Sequence, residues 1–174
     1  MFLEADIELA GALLARLRLQ RLTICTAESC TGGLIAALLT EIAGSSDVVD
    51  HGLVTYSNGA KCDLLSVPAT LIGRYGAVSA EVAVAMAAGA LRNSTCGVAV
   101  AVTGVAGPGG GTAAKPIGLV HLAAQLRGRA PVEAELRLGD IGRSAIRLQT
   151  VREALTLCNQ ALDMEPVAGV TGSP

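Results

Sequence analysis

The sequence predicts an α/β domain, a three-layer α/β/α sandwich around a mixed sheet of about five strands. Short β-branched or apolar runs alternate with longer segments whose apolar residues recur at helical spacing. Residues 97–102, Gly-Val-Ala-Val-Ala-Val, form an unbroken small apolar run, as expected of a strand covered on both faces. The chain is 51% hydrophobic but only 2% aromatic, so Ala, Val, Leu and Ile must fill the core, which suits helices packed closely on a sheet.

The opening segment carries Leu3, Ile7, Ala10, Leu13, Leu14 and Leu17 on one stripe and reads as an amphipathic helix. Residues 22–25 read as the first strand, and Leu34, Ile35, Leu38, Leu39 and Ile42 as the helix after it. Residues 43–47 form a loop and 48–56 a second strand. A short helix starting at Lys61 is interrupted by Pro68, and Ser79 caps a helix bearing Val82, Met86, Ala90 and Leu91. After the strand at 97–102, residues 116–125 and 131–138 read as two strands in antiparallel arrangement, and 144–162 as a closing helix. No repeat or low-complexity linker divides the chain, so residues 1–165 are expected to form one domain and 166–174 a frayed tail.

A net charge of −2 without a Lys/Arg run leaves no electrostatic footprint for nucleic acid. No apolar run approaches the ~20 residues of a membrane span, and the acidic N-terminus is unlike a signal peptide, so a cytoplasmic location is expected. The five cysteines are scattered without a C-x-x-C pair and read as reduced core residues. His51 and His121 each stand alone, so any zinc site would have to be assembled from distant residues; no catalytic metal and no cofactor are expected. The high apolar fraction with only 16% charged residues points to a homodimer or higher homo-oligomer.

Three polar segments begin where apolar strands stop, and together they predict one cleft. The first, residues 26–33, holds Glu28, Ser29, Cys30, Thr31, Gly32 and Gly33 before a helix, whose free N–H groups favour an anion. The same residue types also make an ordinary N-cap. The second runs from Tyr56 through Asn58 to Lys61. The third, residues 103–112, contains Thr103, Gly104 and Gly107 in a glycine-dense stretch that reads either as an anion-binding nest or as a hairpin loop.

The ordered motifs TAESCTGG, VTYSNGAKCDLL, GAVS, TGVAGPGGG and KPIGLVHLA, spanning about residues 22–124, closely resemble the C-terminal domain of the competence/damage-inducible protein CinA. That family includes bacterial nicotinamide-nucleotide amidases, Ser/Lys hydrolases that convert nicotinamide mononucleotide to nicotinic acid mononucleotide and ammonia. The resemblance implies Ser29 as nucleophile and Lys61 as its base, with Tyr56, Thr103 and Gly104 lining the site. It extends through residues 143–150, where Arg143 or Arg147 is implied as the phosphate ligand. A Gly-Asp-Arg signature of the family is here stretched to Gly139-Asp140-Ile141-Gly142-Arg143. The chain is expected to carry only the amidase-like domain, without the larger molybdopterin-binding-like domain of full-length members.

The chemistry is demanding, because a lysine takes a proton from serine only when neutral, and an ordinary lysine has a pKa of about 10.4. From its residue type alone Lys61 reads as a solvated surface lysine. Cys30 is a rival nucleophile, since a cysteine amidase needs no neutral lysine. A non-catalytic nucleotide-binding or interaction module is the alternative of another class.

Overall fold

The computed structural model describes residues 2–163, so the tail expected at 166–174 lies outside the described residues. Five strands, β1 (Ile24–Glu28), β2 (Val49–Val54), β3 (Val98–Gly104), β4 (Leu119–Leu126) and β5 (Val132–Arg137), form one sheet in the order β2-β1-β3-β4-β5. β1 is parallel to both β2 and β3, while β3, β4 and β5 pair antiparallel, giving the mixed sheet the sequence predicts.

The helices α1 (Glu4–Gln20), α2 (Leu34–Glu41), α3 (Asn58–Leu65), α4 (Ala69–Tyr75), α5 (Ala80–Arg92) and α6 (Arg143–Asp163) cover both faces. Strand side chains alternate between the two. Ile24, Val98, Val100, Val102 and Leu122 pack with Leu13, Leu38, Ile146 and Leu155 of α1, α2 and α6. Cys25, Ala27, Ala99, Ala101 and Ala123 pack with Leu65, Val82 and Met86 of α3 and α5. Small side chains, mostly alanine, line the sheet face that α5 covers. Gly89 of α5 abuts the end of α3, where an added Cβ would fall 1.9 Å from the Leu65 carbonyl oxygen.

Four elements depart from the expectation drawn from sequence. β1 begins and ends later than expected and runs through Thr26, Ala27 and Glu28, because it is hydrogen-bonded on both sides and buried at every position, which overrides the polar residue types. α3 starts at Asn58, capped by Ser57, whose Oγ accepts the Ala60 N–H at 3.0 Å. Pro68 opens a helix that the sequence reading lacks: α4 begins immediately after it, where a missing N–H costs nothing. β4 also starts at Leu119 rather than at 116, since Gly118 has φ of 86°. Among the described residues, no helix is long and apolar enough to cross a membrane.

Candidate active site

The chain leaves β1 for α2 on one face of the sheet and leaves β2 for α3 on the other, so the carboxyl ends of β1 and β3 open a crevice between the layers. A cavity of about 310 Å³ lies there, lined by Ser29, Tyr56, Lys61, Thr103, Gly107 and Arg143 among others. This is at the small end of the ~300–1,000 Å³ typical of small-molecule sites. All three polar segments meet in it.

Ser29 follows the last residue of β1. Its N–H donates to the Val102 carbonyl at 3.1 Å, while Thr55 N–H donates to the Glu28 carbonyl at 2.7 Å, so the strand ladders on both sides fix where the serine stands. Lys61 reaches it from α3. Its Nζ donates to Ser29 Oγ at 3.1 Å and to the Thr55 carbonyl at 2.8 Å. The lysine is 1% exposed, and burial pushes its pKa below the ordinary value, opposed to a smaller extent by the Cys30 and Cys62 thiols. A buried lysine against a serine hydroxyl is the arrangement a Ser/Lys hydrolase needs.

Cys30 also lines the cavity, but burial raises its thiol to about 11. A thiol that weakly acidic is almost wholly protonated at neutral pH and is a poor nucleophile.

The helix N-terminus proposed as an anion site is already filled from within. Glu28 is fully buried, and its carboxylate accepts the N–H groups of Gly33, Ile35 and Ala36 at 2.9–3.0 Å and the hydroxyls of Thr31 at 2.7 Å and Thr26 at 3.1 Å. From sequence, Glu28 and the Thr31, Gly32 and Gly33 turn are expected in the cleft as substrate-binding residues; in the structure they cap α2, with Gly33 at φ of 93° admitting the turn. None of the four lines the cavity.

The two arginines separate. Arg143, the first residue of α6, lines the cavity and donates to the Gly107 carbonyl and the Tyr56 hydroxyl, both at 2.9 Å, bridging the glycine-rich loop and the segment after β2. The stretched spacing before it therefore does not remove it from the cleft. Arg147, one turn on, donates instead to the Thr31 carbonyl at 2.6 Å and does not line the cavity. Asn58 lines the cavity beside Tyr56, which is 60% exposed. Thr103 is spent on structure, its Oγ1 donating to the Ala77 carbonyl at 2.8 Å. Gly104 is there for close approach: an added Cβ would stand 2.8 Å from the Leu119 carbonyl oxygen. The Ser29 amide is held by Val102, whereas those of Cys30 and Thr31 have no backbone acceptor among the described residues.

The model of the CinA C-terminal domain matches residues 6–162. The chain belongs to the CinA C-terminal domain family. A CinA-like protein of Akkermansia muciniphila is 47% identical over 163 residues, covering 94% of this chain and 39% of that protein. One from Mycolicibacterium vanbaalenii is 54% identical over 140 residues, covering 80% of this chain and 33% of its own length. The chain thus spans about two fifths or less of these curated CinA-like relatives. Among solved structures, the competence/damage inducible protein CihA from Agrobacterium tumefaciens superposes with a TM-score of 0.92 at 52% identity, covering 94% of this chain and 99% of that one. A CinA superfamily protein from Escherichia coli gives 0.84 at 35% identity, covering 92% and 93%.

Proposed function

We propose that this CinA-family chain is a nicotinamide-nucleotide amidase, hydrolysing the carboxamide of nicotinamide mononucleotide to nicotinic acid mononucleotide and ammonia. The observation that carries the reading is the buried Lys61 Nζ within 3.1 Å of Ser29 Oγ at the mouth of two parallel strands. Phosphate binding alone requires neither residue.

Neutral Lys61 accepts the Ser29 hydroxyl proton as Oγ attacks the carboxamide carbon. The tetrahedral intermediate collapses with loss of ammonia, which carries away the proton returned by Lys61, leaving an acyl-enzyme on Ser29. Water, deprotonated by the same lysine, then attacks the acyl carbon and releases the carboxylate, restoring serine. The Cys30 amide, on the cavity wall, is the donor available to the oxyanion, in place of the committed Ser29 amide. Arg143 and the backbone of the Gly107 loop supply the donors for the nucleotide phosphate at the rim.

Ammonia release from nicotinamide mononucleotide by the purified protein tests this directly. Release is expected from the wild type and, within about tenfold, from Cys30→Ser, because the thiol is not the nucleophile. A folded wild type that binds the nucleotide without turnover would establish the binding module instead. The rate is expected to rise with pH as Lys61 deprotonates, levelling off below the ~10.4 of an ordinary lysine, since burial lowers its pKa.

Arg143→Ala is expected to raise KM for the mononucleotide roughly 10–100-fold, the loss of one or two charge-assisted hydrogen bonds, with a smaller change in kcat. Arg147→Ala, which acts on the turn rather than on the cleft, is expected to lower thermal stability with little change in KM. The reverse pattern would assign the phosphate to Arg147.

A further inference from the structure

We propose that Asp50, His51 and Cys96 form a binding site for zinc or a zinc-like divalent cation, at the end of the sheet opposite the catalytic cleft. The Cys96 thiol donates to Asp50 Oδ2 at 3.1 Å, and His51 Nδ1 lies 3.4 Å from the same oxygen. One ligand atom from each residue lies within 4.8 Å of both others. Metal–ligand bonds of about 2.0–2.3 Å in a tetrahedron require its ligand atoms to be roughly 3.3–3.7 Å apart, so two of the three edges already have close to the right length.

The backbone is shaped for this. Consecutive strand residues normally point to opposite faces, and Asp50 and His51 would be separated by the sheet. The register of β1 on β2 slips between Ile24, opposite Val49, and Cys25, opposite His51, leaving Asp50 as the extra residue of a bulge. Bulges re-aim side chains, and this one turns two adjacent ligand types toward one point. Cys96 is held there by its own staples: its N–H donates to Ser94 Oγ at 3.3 Å and its carbonyl accepts Arg127 Nε at 2.8 Å.

The donor set suits the cation. Thiolate, imidazole and carboxylate are zinc ligands, and a thiolate with a carboxylate neutralises a divalent charge. Three protein ligands leave a fourth position for water. Cys96 is buried whereas Asp50 and His51 are partly exposed, so the ion has an entry path from solvent and a thiol floor. On binding, the proton that Cys96 shares with Asp50 leaves to solvent as the S–metal bond forms. The hydrogen bonds from Cys96 and His51 already hold the Asp50 carboxyl below its usual range. The site stands near the start of β2 and just before β3, about 15 Å along the strands from Ser29 at about 3.3 Å per residue, so the bound ion clips an edge strand to the sheet.

Cobalt(II) titration of the intact protein tests the site independently of any amidase activity. One equivalent is expected to produce the strong visible bands of a tetrahedral site and a thiolate-to-cobalt charge-transfer band, both lost on adding zinc. The charge-transfer band is expected to vanish in Cys96→Ser, to need at least tenfold more cobalt in His51→Asn or Asp50→Asn, and to persist in Cys62→Ser, which removes the more accessible thiol. The partly exposed positions of Asp50 and His51 keep the test informative even if Cys96→Ser folds poorly. Absence of the band from the wild type, its survival in Cys96→Ser, or unchanged affinity in both the His51 and Asp50 variants would overturn the proposal.

Discussion

Replacing Ser29 with Ala is expected to lower kcat for amide hydrolysis by roughly 10⁴-fold or more, the scale on which removal of a nucleophile acts in comparable hydrolases. Lys61→Met should lose a similar amount. Since the two residues act as one unit, the double variant should be scarcely worse than either single one, and the kinetics of all three against ammonia release would establish this. A residual rate in Ser29→Ala within tenfold of wild type would remove serine from the mechanism. The methionine variant carries a second expectation. Folding places Lys61 where its charged form is disfavoured, so the unfolded chain binds more protons at this position and the lysine costs stability at neutral pH. Lys61→Met should therefore melt at a higher temperature than wild type at neutral pH. Its advantage should shrink as pH rises toward the lysine's unfolded value, where the unfolded chain no longer holds a proton that folding must remove. Gain of stability with loss of activity is the mark of a strained functional group.

Glu28→Ala is expected to cost about 3–5 kcal/mol of folding stability, because it strips five donors of their acceptor and leaves a cavity beside the core. Against a typical total of about 5–15 kcal/mol that is severe, and for a chain of this length it corresponds to a fall in Tm of roughly 10 °C. Glu28→Gln, which keeps the volume but offers one acceptor oxygen and two donors, should lie between. Thermal unfolding followed by circular dichroism measures both. A loss below 1 kcal/mol for Glu28→Ala would show that water or a rearranged turn satisfies the α2 amides equally well.

The layered α/β fold is legible in the sequence because its signals are local: periodic apolar stripes for α1, α5 and α6, and the small apolar run of β3. What reads wrongly is decided by neighbours. Thr26, Ala27 and Glu28 look like a turn until β2 and β3 are placed on either side, and Pro68 looks like a breaker until α3 has already ended at Ser66. In the cleft, Ser29 and Lys61 emerge together only through resemblance to a family, for nothing in the residues around Lys61 announces that the fold will bury it against Ser29 and Thr55. Glu28 is different, since all its donors but Thr26 lie within eight residues downstream, and a carboxylate ahead of a Thr-Gly-Gly turn and an apolar helix is a capping signal available to inspection. The pairing of Cys96 with Asp50 and His51 needs the β2 bulge, which has no sequence mark at all.

The near-contact between Gly89 and the Leu65 carbonyl sets a dimension of the proposed catalytic pair from outside it. Lys61 sits one turn before Leu65 on the same short helix, so the reach of its amine toward Ser29 is governed by how closely two helices are allowed to approach. A single methyl at that crossing, remote from the cleft, would lift α3 and carry the Lys61 amine away from the Ser29 hydroxyl. The distance across the proposed Ser29–Lys61 pair is thus gauged by the absence of a side chain.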